Sequence, residues 1–388
     1  MAHTYGIDAA AQQHLTAASE IAKAILSRYA SEVDAKARFP SEGVSALQKG
    51  RLTGLTVESA LGGLGQGPRT FAAVAEELAT ACGSTAMVFV MHVSAQQAIA
   101  SSKSLVSRDA VLKDIAQGKH LTTLAFSEKG SRSQFWAPTS KLADKDGGFV
   151  TQAQKSWVTS AREADSYVSS AQKPNAASPL ESTIYLLRKD QAGVRVNGTF
   201  DGLGLRGNDS APVTLEDVKV ATGDLISANG SGADTMLQVV LPWFSIGTAA
   251  MAHGLCRAAI GATAAHLSGS KLEHTGQALR DLPNLRMRLA EMSVRTEQSR
   301  ALLGYTLGEM EKPNEMTPLF VLQSRLAALQ CAVDVTDLAM KACGGAAFSK
   351  HLPIERLFRD ARAGWVMAPT ADHLQDFIGK ALTGLPLF

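Results

Sequence analysis

Apolar residues recur at three- and four-residue spacings from about Ala9 to His120, fall into short alternating or β-branched runs from Leu121 to about Val220, and return to helical spacing from about Asp234 onward. An apolar stripe at the first spacing buries one face of a helix, whereas alternation buries one face of a strand. The chain therefore predicts helices, then strands, then helices. In the first block, "RTFAAVAEELATACGSTAMVFVMHVSAQQAIA" predicts two helices broken at "CGST", with Gly83 ending one and Ser84 or Thr85 capping the next. In the middle block Asp146-Gly147-Gly148 is a hairpin signal, and the spacing of runs such as "STIYLLRK" and "PVTLEDVKV" suits a small antiparallel sheet or barrel. In the last block Leu285, Leu289 and Met292 share a helix face behind Pro283 in the first turn, and "LQSRLAALQCAVDVTDLAMKACGG" predicts another long helix stopped at Gly344-Gly345.

With 388 residues the chain is long enough for two or three domains, placed at 1–120 (helical), 121–225 (β) and 226–388 (helical). No run approaches the ~18 apolar residues that span a bilayer, so no membrane span is expected. The N-terminal text lacks the basic stretch and apolar core of a secretory signal, which makes a cytoplasmic location the default. Cys82, Cys256, Cys331 and Cys343 are scattered without a C-x-x-C pair, which argues against a zinc site or a disulfide framework and for buried thiols. A net charge of +2 with no dense Lys/Arg cluster gives no reason to expect nucleic acid. "GGLGQG", Gly62 to Gly67, lies between helical segments and lacks the strand-turn-helix setting of a dinucleotide loop, so it is expected to be a connector. The polar stretch "KPNAASP" is expected to be a surface loop.

Four stretches fall into one pattern: "AFSEKGSRSQ", "KSWVTSAREAD", "LGLRGNDSAPVTLEDVKV" and "CGGAAFSKHLPIERLFRDAR". In order and spacing they resemble the acyl-CoA dehydrogenase family, with weaker similarity over nearly the whole chain. The resemblance implies an α+β, mainly α, architecture: an N-terminal helical domain, a middle β-barrel-like domain and a C-terminal four-helix bundle. It also implies bound FAD in preference to FMN, an acyl-CoA or related thioester substrate, and a homo-oligomer, dimer or tetramer. By similarity Phe126, Ser127, Trp157 and Thr159 meet the flavin ring, Trp157 as a wall and the two hydroxyls at its polar edge. Such a ring needs an apolar wall and a few donors where charge gathers on reduction. Gly344 and Gly345 match a Gly-Gly that approaches a neighbouring subunit's FAD, and Thr370 and Asp372 match positions near its diphosphate and adenosine. Ser133 matches a thioester contact, while Leu241, Phe244, Met367 and Ala368 match the substrate pocket, to which Trp243 and Trp365 are further candidates.

The resemblance fails at two places, the catalytic base and a contact with a neighbour's FAD. Members of the family take the α-proton with a glutamate, and "RDAR" places Ala368 where that glutamate stands; the alternative location, on the first long helix of the last domain, reads Val240 and Leu241. Lys271 stands in place of an arginine that reaches a neighbour's FAD. Three functions follow. One is a flavin-dependent oxygenase or oxidase using O2, which needs no strong base; a two-component reduced-flavin monooxygenase is its variant. Another is an acyl-CoA dehydrogenase whose base is one of His92, Glu128, His253 or Asp372. The last is an inactive flavin-binding scaffold.

Overall fold

The computed structural model describes residues 3–387. Helices α1 (Gln12–Ile21) and α2 (Ser27–Lys36) are joined by a π-helical turn over Ala22–Leu26, and α3 (Ser41–Lys49) follows. Helices α4 (Pro68–Ala79), α5 (Gly83–Ser101) and α6 (Arg108–Ala116) complete this first layer. Segment Gly62–Gly67 is the connector into α4, with Pro68 at its first turn. The break at "CGST" is present but differently built: Cys82 precedes the helix in extended conformation and Gly83 is its first residue. The Ser84 hydroxyl instead accepts the Gly207 N–H, so a tertiary contact displaces the expected cap.

The strands are β1 (Thr122–Ala125), β2 (Leu142–Lys145), β3 (Gly148–Val158), β4 (Ser166–Gln172), β5 (Ser182–Arg188), β6 (Val194–Val196) and β7 (Ala211–Val220). Asp146 and Gly147, both at positive φ, turn β2 into β3 with Lys145 opposite Gly148. Two positive-φ residues twist in the sense of the strands, which is why Asp-Gly marks such hairpins. The strands form two sheets, in the orders β1-β4-β5 and β2-β3-β7-β6. The sheets are not wholly antiparallel as expected, because β1 pairs with β4 in parallel. A parallel pair needs a long crossover, and here the β2–β3 hairpin supplies it, a relation that alternation alone does not encode.

Helices α7 (Gly232–Thr235), α8 (Leu241–Gly269), α9 (Pro283–Glu311), α10 (Thr317–Cys343), α11 (Gly345–Phe348), α12 (Ile354–Val366) and α13 (Ala371–Thr383) follow. Leu285 and Met292 are buried and Leu289 half-buried against the bundle. The stretches Gly232–Gly269 and Thr317–Cys343 are long and apolar enough to cross a membrane by composition, contrary to expectation, yet 78% and 61% of their most apolar windows are buried inside the protein. Their apolar character is thus used in packing. All four cysteines are free and buried.

A buried polar cluster fastens the first layer to the bundle. Tyr5 donates to Glu76 of α4, so the His253 Nδ1, 2.8 Å away, must donate to the tyrosine oxygen, leaving Nε2 to accept from Ser299 at 2.7 Å. Arg257 and Arg300 reach Glu76 at 2.9 and 3.1 Å. Burial lowers the His253 pKa to about 4, consistent with a neutral ring that makes one donation and one acceptance.

Candidate functional site

The main cavity, about 730 Å3, lies where α5, the middle strands, the start of α8 and the end of α12 converge. Its length-wise walls follow from the elements. Met87 and Met91 come from α5, Phe126 and Ser127 from the end of β1, Trp157 from β3, Leu241 and Phe244 from the first turns of α8, and Met367 and Ala368 from the turn after α12. The sequence candidates Phe126, Ser127, Ser133, Trp157, Thr159, Leu241, Phe244, Met367 and Ala368 are therefore brought together.

The polar side is ordered. The Thr159 hydroxyl lies 3.1 Å from that of Ser210, which donates to Asn208 at 3.1 Å. Trp157 stands at positive φ with 66% of its surface exposed, touching Phe200 edge-on at 6.3 Å. A bulky residue seldom adopts such a backbone, and an indole left that open lacks the cover that stabilises it. Ser127, Ser156, Thr159 and Ser210 all line the same cavity. A flat heteroaromatic ring with a polar edge fits this combination of uncovered indole and hydroxyls.

Glu128 reaches the cavity wall, but its carboxylate is spent. It accepts from the Thr139 N–H, the Thr139 hydroxyl and the Ser140 N–H at 2.6, 2.7 and 2.8 Å, and pairs with Lys155 Nζ at 2.6 Å. Burial would raise its pKa, but the Lys155 ammonium and the hydroxyl donors outweigh burial and hold it at about 2. A carboxylate so stabilised is a poor proton acceptor. His92 is wholly buried away from the cavity wall; its Nδ1 accepts from the Thr122 N–H and its Nε2 donates to the Thr53 carbonyl, both at 3.1 Å, with its pKa lowered by burial to about 4. His253 belongs to the Tyr5 cluster. Asp372 is exposed on the first turn of α13 and does not line the cavity.

One group missed by pattern reading stands behind the wall at Ser133. His373, half-buried on α13, has its Nδ1 3.1 Å from the Ser133 hydroxyl and 3.3 Å from that of Thr370. Thr370 is the N-cap of this helix and accepts the His373 N–H. Trp136 and Phe377 hold the ring, with centroids at 5.7 and 6.0 Å. Two hydroxyls facing one nitrogen suit an Nδ1 that accepts and an Nε2 that carries the proton. The signal in the sequence was the Thr-x-x-His spacing of the cap; what it could not show is that Ser133, 240 positions earlier, would meet it.

Of the remaining candidates, Thr370, Gly344 and Gly345 lie outside the cavity wall, with open space where a Cβ would stand on either glycine. Trp243 packs on Phe71 at 5.5 Å, and Trp365 faces outward. Lys271 is exposed beside Ala278. Among the described residues no group of three or more His, Cys, Asp or Glu could hold a metal ion.

Comparison with known proteins bears on the whole chain. The acyl-CoA dehydrogenase N-terminal, middle and C-terminal domain families match residues 9–119, 123–218 and 230–383. The short-chain specific acyl-CoA dehydrogenase of Clostridium acetobutylicum is 23% identical over 344 residues, 88% of this chain and 90% of that protein. Among solved structures, butyryl-CoA dehydrogenase from Megasphaera elsdenii superposes with a TM-score of 0.92 at 21% identity, covering 97% of this chain and 99% of that one. An FAD complex of PigA gives 0.89 at 18% identity, covering 97% and 98%.

Proposed function

Because the chain belongs to the acyl-CoA dehydrogenase family, we propose that it is an FAD-dependent oxidoreductase of acyl thioesters in which Ser133 and His373, not a carboxylate, take the α-proton. Bound FAD would supply the acceptor for a hydride from the β-carbon, so that loss of the α-proton and the β-hydride would leave a carbon-carbon double bond. Trp157 would cover one face of its ring, with Ser127, Thr159 and Ser210 at the polar edge. Thr370 and Asp372 are assigned to the diphosphate and adenosine part of FAD, and Gly344 and Gly345 to the FAD of a second copy of the chain. Exposed Met287, Val294 and Tyr305 on α9, and Phe348 beyond α10, support such assembly.

The observation that carries the reading is the contact of Ser133 with His373 at the cavity wall. An α-proton beside a thioester is weakly acidic and needs a positioned base. Ala368, Val240 and Leu241 offer none, and Glu128 is neutralised by Lys155. The Ser133 hydroxyl can take the proton as it passes its own to His373 Nδ1. Anaerobic titration of the flavin-loaded protein with a panel of acyl-CoA thioesters is expected to bleach the oxidised flavin band. His373→Gln is expected to slow bleaching by about 10²-fold or more, the usual worth of a positioned base. Wild-type rates in His373→Gln would overturn the role of the dyad.

An oxygenase reading is favoured by the apolar wall of Val240, Leu241 and Ala368. It is distinguished in the same experiment: the flavin stays oxidised anaerobically, and the chemically reduced protein consumes O2 while oxygenating the thioester. Flavin that binds but supports neither reaction would mark a scaffold.

A further inference from the structure

We propose that the deep wall of the cavity is built for an acyl group carrying its own carboxylate, the monothioester of a dicarboxylic acid, with Arg325 as the residue that selects it. This rests on the thioester reading above. Arg325, on α10, is 0% exposed. Its guanidinium carbon sits 4.8 Å from the centroid of the Phe244 ring, and Nη2 donates to the Met367 carbonyl at 3.2 Å. Phe244 and Met367 both line the cavity, so the charge lies one residue behind the wall.

Its other donors are idle: Nε and Nη1 are buried and have no acceptor among the described residues. Burial alone lowers its pKa, to about 9, so the side chain still carries its charge at neutral pH. Of the other charges on this wall, Arg359 is matched by Asp34 and Glu355 and Glu128 by Lys155, the half-buried Arg362 donates to the Thr336 hydroxyl and the Phe358 carbonyl, and Lys129 and Arg132 are exposed to water. A buried cation with no counter-ion is among the costliest arrangements in a protein interior, and an apolar side chain of similar size is commonly the more stable choice. Keeping one beside the cavity makes sense if the missing anion arrives with the ligand. A small shift of Phe244 would bring the idle donors to the cavity, and a guanidinium fork matches a carboxylate in two bonds. Val240, Leu241 and Ala368 give the adjoining cavity an apolar lining, and a dry setting strengthens such a pair. With Ala368 at the turn after α12, no carboxylate of the described residues pairs with Arg325.

The test is equilibrium binding of length-matched thioesters to the flavin-loaded protein: succinyl-, glutaryl- and adipyl-CoA against butyryl-, pentanoyl- and hexanoyl-CoA. At least one dicarboxylic member is expected to bind about tenfold or more tightly than its partner. Arg325→Met should erase that ratio and leave the straight-chain affinities in place, with a melting temperature of the ligand-free protein at or above wild type. Arg325→Lys, which keeps charge but not the fork, should retain part of the ratio and decides the matter if Arg325→Met does not fold. Equal affinities in every pair, or a preference that survives Arg325→Met, would overturn the role of Arg325 while leaving the thioester reading intact. Failure of all six to bind would sink both.

Discussion

Glu128 and His373 show how little a residue's type says about its work. Both carry groups that can move protons, and both stand in motifs beside the cavity. Glu128 is fixed by five donors including Lys155 and serves as an anchor for the turn at Thr139 and Ser140. Glu128→Gln is expected to cost on the order of 3–5 kcal/mol, because it strands a buried ammonium; chemical denaturation measures it, and a loss below ~1 kcal/mol would show that the pair contributes little. His373 has only hydroxyl partners and aromatic walls, which leave its Nδ1 able to accept. The sequence made Ala368, Val240 and Leu241 legible as apolar, and all three line the cavity. It did not make the dyad legible, since the contact of Ser133 with His373 is tertiary. Arg325 was hidden for the same reason: inside an amphipathic helix an arginine reads as a surface residue, and only packing shows that it is enclosed.

At the scale of elements, periodicity located the helices and strands, and turn chemistry located the β2–β3 hairpin and the stop at Gly344. What periodicity missed were partnerships between elements: the parallel pairing of β1 with β4, and the tertiary use of Ser84 in place of a cap. Helices α4 and α8 illustrate why such partnerships are sharply specified. A Cβ added at Gly254 would lie 2.3 Å from the Glu76 carbonyl and 2.6 Å from the Ala79 Cβ. A backbone carbonyl cannot swing aside as a side chain can, so Gly254→Ala is expected to destabilise by about 1–3 kcal/mol despite the better helix propensity of alanine. An unchanged denaturation midpoint would mean that the two helices separate freely.

At the scale of the whole molecule, the α-β-α order was legible from pattern alone, and its detailed form from the four matched stretches. Its response to pH was not, because that depends on which ionisable groups are enclosed. His92 and His253 are each lowered by burial from 6.5 to about 4, so each contributes stability present above 6.5 that is lost as pH falls toward 4. Asp360, raised by burial from 3.8 to about 6, has the opposite sign: its contribution is complete below 3.8 and lost as pH rises through 6. Two shifts against one, each of comparable size, leave the histidines in control. The melting temperature is therefore expected to fall between pH 6.5 and 4; a rise over that range would show that Asp360 governs.

Tyr5 carries one more consequence, for the order in which the protein can be completed on the ribosome. Its hydroxyl is shared between Glu76 and His253, 248 positions downstream. Made well before helix α8, it waits for that helix before its burial is matched. The first helical layer is thus completed only by helices α8 and α9, and in a nascent chain stalled before α8 Glu76 lacks both Arg257 and Arg300.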